Sequence, residues 1–156
     1  MLAWLESTAV ALWLAESPSV WAMPTVLTLH TTGMAVLVGA SWVLDLRLLG
    51  INRNVPLSAY RWVFRAVAVG LIVNLITGVL LFMKNATGWG TALPFFMKML
   101  FVVASAATIL PIRKYVLNSG AGNQEVASNV RLLAIASIVA WSAAVTAGRL
   151  LAYLVA

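Results

Sequence analysis

The sequence contains no cysteine and only one histidine, His30. The first absence excludes disulfides, thiolate metal sites and cysteine nucleophiles. Charge is also scarce: 9% of residues are charged and only four are acidic. No carboxylates are paired for acid–base work, no nucleophile has a base beside it, and no glycine-rich phosphate loop follows a strand, so hydrolytic and nucleotide chemistry are disfavoured. The bulk of the chain is hydrophobic: 63% of 156 residues, with a mean hydropathy of +1.00. That composition lies far outside the soluble range and describes an integral membrane protein. A chain of this length forms one small bundle, with no separate soluble domain. The net charge of +6 would suggest nucleic acid in a soluble protein. Here the basic residues gather at the ends of apolar runs, which fits anionic lipid and topology instead.

Read in order, the chain resolves into four spans and one shorter segment within a single transmembrane domain, residues 1–156. Residues 1–16 place Leu2, Leu5, Ala9 and Leu12 near one helical face, with Trp4 and Trp13 alongside. The segment is too short to span and lacks the basic start of a signal peptide, so it reads as an amphipathic helix lying in the interface on its tryptophans. Ser17, before Pro18, is expected to cap the helix that follows. The spans are predicted at about 20–44, 62–83, 94–112 and 132–156, long enough to cross a bilayer. They are separated by a polar loop ending at Pro56, a turn over Lys84–Gly90, and a Gly/Ser/Asn-rich loop over 118–129. The fold class predicted is therefore all-α, a four-transmembrane-helix bundle with an N-terminal interfacial amphipathic helix.

Orientation follows from the basic residues. Arg47, Arg53, Arg61, Arg65, Arg113, Lys114 and Arg131 border one side, against Lys84, Lys98 and Arg149 on the other. By the positive-inside rule the seven are cytoplasmic, and both termini are extracytoplasmic. Asp45, the only acid within reach of a span, is expected to form an ion pair at the inner interface with Arg47, Arg61 or Arg65, with proton uptake as the lesser alternative.

The segment with the most chemical content is Leu27-Thr28-Leu29-His30-Thr31-Thr32-Gly33-Met34. An ionisable side chain at membrane depth is expensive and marks a functional site by default. Met34 lies one turn on, on the same face. An imidazole with a thioether suits haem iron or copper, whereas a histidine that merely bonds a carbonyl between packed helices is the structural alternative. Counted from the expected helix ends, His30, Lys98 and Arg149 lie roughly 6 to 11 Å below the outer surface on three helices. Independent snorkelling of the two cations to phosphate is one reading. Convergence on an anionic cofactor near His30 is the other, and haem fits it, because iron takes imidazole and propionates take Lys or Arg. Gly33, Gly39 and Ala40 on the first span, and Gly70, Asn74 and Gly78 on the second, permit close helix approach or room for a flat macrocycle. Asn74 and Thr77 are available for interhelical hydrogen bonds.

His30 followed by Gly33, Trp42 and Arg47, with Phe96-Met97-Lys98-Met99-Leu100 at the start of the third span, resembles a loose group of small bacterial inner-membrane proteins. That group includes the copper-resistance D-type proteins and the membrane-type, oxygen-independent protoporphyrinogen oxidase. Leu-His-Thr-Thr-Gly-Met and Asp-Leu-Arg-Leu-Leu-Gly look most similar to an uncharacterised four-helix family within it. The resemblance implies the bacterial inner membrane, a haem b or copper site on His30, and a catalytic or cofactor role for Lys98. It also shows a departure. Relatives that hold haem between two histidines need a second one, so such ligation here requires two protomers; otherwise His30 pairs with Met34, another Met, or nothing. Three functions stand at this level. One is a haem-b protein with a redox or porphyrin-handling role, and one is a copper-handling protein using His30, Met34 and Met97. The third is a cofactor-free subunit packing into a homo-oligomer or a larger membrane complex. The expected partners are lipid and protein, with no nucleic acid.

Overall fold

A chain in hydrocarbon must satisfy its backbone groups internally, and a continuous helix does this without a partner. The computed structural model describes residues 2–119 and 125–154, and among them every regular element is helical. The long helices are α3 (Ala22–Leu49), α4 (Val63–Lys84), α6 (Leu93–Asn118) and α7 (Ser128–Leu154). Each is long and apolar enough to cross a membrane. Three short helices, α1 (Ala3–Glu6), α2 (Ala9–Glu16) and α5 (Ala86–Trp89), gather where α3 begins and α4 ends.

The N-terminal segment is two helices where the sequence predicts one. Thr8 breaks it: its extended backbone stops α1, and its hydroxyl accepts from the Ala11 amide at 3.4 Å to start α2. Ala11 and Leu14 are buried, Leu14 with Val26 and Leu81, whereas Trp4 and Trp13 are exposed. Ser17 does not cap α3. It ends α2, its hydroxyl accepts from the Ser19 amide at 3.2 Å, and α3 starts at Ala22 without a side-chain cap.

Glu6 pins this segment to the turn after α4. One carboxylate oxygen accepts from the Thr87 hydroxyl at 2.6 Å and from the Thr87 amide at 2.8 Å. The hydroxyl bond first, then the amide bond, holds the carboxyl below its ordinary pKa. A depressed folded-state pKa contributes stability above the unfolded value that is lost as pH falls through the folded one. Acidification below the usual carboxylate range is therefore expected to loosen α1 from α5 in the wild type, seen as faster proteolysis near Ser7. In Glu6→Gln that dependence should be flattened. Identical pH profiles for the two proteins would exclude the clamp.

Helix α3 ends at Gly50, whose φ of 111° is in the left-handed region. The Gly50 amide donates to Arg47 O and that of Ile51 to Leu46 O, closing the last carbonyls in a Schellman arrangement. The third span was expected to stop near Pro111, yet α6 runs through it to Asn118. Proline removes one N–H and crowds the preceding turn, a cost that neighbouring helices and side chains absorb in membranes. The predicted loop over 118–129 lies partly outside the described residues.

Helix α3 packs along α4 on one side and against α7 on the other, and α6 packs along α7, giving the lateral order α4–α3–α7–α6. At the α3–α4 crossing, a Cβ on Gly70 would stand 2.9 Å from Gly33 O and from Leu37 N, so backbone meets backbone there. The main core lies toward the arginine-rich end, around Leu44, Leu48, Val63, Ile112, Val116 and Trp141. Leu75, Val69, Leu110 and Val139 point outward and are more than half exposed, as a lipid-facing surface requires. At the same basic end α4 and α6 diverge around a cleft of about 550 Å³, edged by Arg61, Arg65 and Arg113.

Candidate functional site

His30 lies eight residues into α3, about 12 Å along the axis from its start. Thr77 lies seven residues before the end of α4, at nearly the same level. The two meet: His30 Nδ1 is 2.9 Å from Thr77 Oγ1. The Thr77 hydroxyl has one proton, and it is donated to Val73 O at 2.6 Å. Towards the imidazole it therefore offers only lone pairs. With the Thr77 proton on Val73 O, Nδ1–H donates to Thr77 and Nε2 is the unprotonated ring nitrogen. Gly78 makes room for the ring: a Cβ there would lie 3.4 Å from His30 Cε1. The Gly33–Gly70 crossing one turn below fixes how closely the two helices carry these groups together.

Lys98 of α6 reaches the same region. Its stem lies over Gly148 of α7, with Cε 3.5 Å and Nζ 3.7 Å from where a Cβ would stand, and it is half-buried. Arg149 does not join Lys98. It is one residue past the glycine that meets Lys98, about 100° further round the helix, and it is exposed. Of the three basic groups, His30 is held against α4, Lys98 lies against α7, and Arg149 faces outward. Met34 is half-buried and packs into the main core beside Leu37 and Val38. Met97 is 40% exposed. Among the described residues no group of three or more His, Cys, Asp or Glu side chains stands ready for a metal ion.

Asp45 is not paired with arginine. It is 2% exposed and turned towards Ser41 of its own helix, Thr108 of α6 and Ser137 of α7. Arg47, two residues on, lies on the opposite face and donates to Val55 O at 2.8 Å and Arg53 O at 3.1 Å. Arg61 donates to Leu117 O. The reason is angular: neighbours in sequence two apart on a helix cannot share a partner, however close they look in the chain.

Thr77 makes the interhelical hydrogen bond expected of it, and its partner is His30. Its signal was the Gly70, Asn74, Gly78 register on α4, which brings that face against another helix and carries Thr77 beside it. A model of a family of unknown function, DUF6644, matches residues 2–154, and the chain belongs to that family. No curated protein and no solved structure matches it.

Proposed function

We propose that this family member is a multi-pass protein of the bacterial inner membrane that binds haem b through His30 and serves a redox or porphyrin-handling role. The observation that carries the reading is the 2.9 Å contact between His30 Nδ1 and Thr77 Oγ1. With its hydroxyl donating to Val73 O, Thr77 accepts from Nδ1–H, and Nε2 is the nitrogen that carries the lone pair. Ligating histidines are commonly oriented in this way, by a hydrogen bond from the other ring nitrogen. Half-buried Lys98 adds a cation suited to a propionate at the same level. Haem, when bound, would supply one-electron chemistry. The chain's own residues orient the imidazole and provide the counter-charge. A bis-imidazole site would need a second copy of the chain, since His30 is the single histidine. Copper is the second reading: Met97 is turned outward and Met34 packs into the main core, so neither thioether is set beside His30.

The test is the absorption spectrum of the detergent-purified protein, before and after incubation with hemin, oxidised and reduced. A Soret band that shifts on reduction is expected, and its absence after loading would overturn the assignment. Thr77→Val keeps the volume and removes the acceptor, so it should reduce haem affinity by about 10–100-fold, the usual effect of losing an outer-shell partner.

The same reading puts the His30 end outside and the arginine-rich end in the cytoplasm, by the excess of basic residues. Cysteines introduced at Ala3 and Tyr153 should react with an impermeant thiol reagent in spheroplasts, and one at Ser119 should not. Labelling confined to Ser119→Cys would reverse the topology.

A further inference from the structure

The haem reading does not use Asp45, which sits about 22 Å along α3 from His30, in the other half of the bundle. A carboxyl that is 2% exposed needs partners for both oxygens, and Oδ2 has none. Beside it is a cavity of about 20 Å³ to which all four long helices contribute, with Ser41, Asp45, Thr108 and Ser137 as its polar lining. That is room for one water molecule or one dehydrated monovalent ion.

The hydroxyls around the cavity have directions. Ser41 donates its proton to Leu37 O at 2.8 Å, and Thr108 donates to Ser105 O at 2.7 Å. Both are thereby left with lone pairs for the cavity. Ser137 of α7 lines the same cavity. The cavity thus collects a carboxylate oxygen and two hydroxyl oxygens that act only as acceptors. Arg47, its neighbour in sequence, does not compensate them, being committed to backbone carbonyls in the loop. A buried carboxylate without a counter-charge is strongly disfavoured. A water molecule would satisfy lone pairs and leave the charge; a cation satisfies both.

We propose that Asp45, Ser41, Thr108 and Ser137 form a binding site for a single sodium ion in the arginine-rich half of the bundle. Hard cations take oxygen ligands, and one carboxylate balances one positive charge. Calcium would require more oxygens, and magnesium would retain a water shell for which the cavity has no space. The small volume favours sodium over potassium.

The protein supplies its own reporter. Trp141 is 2% exposed and lies one turn past Ser137 on α7. Purified full-length protein, at fixed pH and ionic strength in choline chloride, is unfolded thermally while tryptophan fluorescence is followed. Sodium should raise the midpoint saturably, by about 5 °C or more at a hundredfold excess over half-saturation, and potassium should not. Asp45→Asn should abolish the sodium response. Thr108→Val, which preserves shape, should raise the half-saturating sodium concentration at least about tenfold, as loss of a ligand oxygen would. Equal responses to sodium and potassium, or a sodium response surviving in Asp45→Asn, would overturn the site. So would a midpoint that follows pH but not sodium, because a proton would then be what neutralises Asp45. If Asp45→Asn fails to fold, an unchanged half-saturation in Thr108→Val overturns it alone.

Discussion

Gly70→Leu is expected to abolish the native bundle, and Gly70→Ala to destabilise it by about 1–3 kcal/mol, the usual cost of overpacking a tight contact. The reason is what a Cβ would strike. At Gly70 it would come within 2.9 Å of Gly33 O, Leu37 N and Leu37 Cβ, and two of those three atoms are backbone. A flexible side-chain end can move aside, but α3 itself would have to shift. The shift would propagate to His30 and Thr77, whose 2.9 Å contact bridges the same two helices. Gly39 is the internal control. It lies on α3 with nothing within 4 Å of its would-be Cβ, so Gly39→Ala should be neutral or stabilising by up to about 1 kcal/mol through helix propensity. Detergent-titrated unfolding followed by far-UV circular dichroism measures both. Equal midpoints for Gly70→Ala and Gly39→Ala would contradict the close crossing.

His30→Ala is expected to remove bound haem almost entirely while leaving the helical signal intact. The loss should exceed the roughly 10–100-fold expected for an outer-shell partner, because the ligand itself is gone and the chain has no other imidazole. The fold should survive, since Thr77 keeps its bond to Val73 O and the removed ring is only half-buried. Lys98→Gln should weaken retention by about 1.5–3 kcal/mol, the range for a hydrogen bond to a charged group. Arg149→Gln should leave retention unchanged, because Arg149 faces away from the site. Haem bound at wild-type level by His30→Ala would remove the ligand assignment. An Arg149→Gln effect as large as that of Lys98→Gln would mean that both cations reach the ligand.

The number, order and approximate limits of the four long helices were legible in the sequence, because sustained apolar runs have few structural uses and glycine and proline punctuate them. Pro94 lies in the first turn of α6, as a local rule predicts, whereas α3 runs past its expected end near Leu44 to Leu49 and closes at Gly50. His30 stood out for the same kind of reason: a lone imidazole in hydrocarbon is costly wherever the chain folds. Local rules failed where a neighbour decided the outcome. Pro111 did not end α6; Thr8, itself a local cap, divided a segment that hydrophobic spacing alone made continuous.

The facing of each helix was not legible, and the physical reason is the solvent. In water, the polar side of a helix shows which stripe is buried; in lipid, the core and the surroundings are equally apolar, so hydropathy carries no such signal. Only tertiary structure could therefore turn Arg149 outward, set Lys98 over Gly148, and place Thr77 under the His30 ring. It also turned Asp45 away from the arginines beside it in sequence and into a cavity shared by all four long helices. The sequence determined which polar groups the membrane must accommodate. The packing of four helices decided which of them meet.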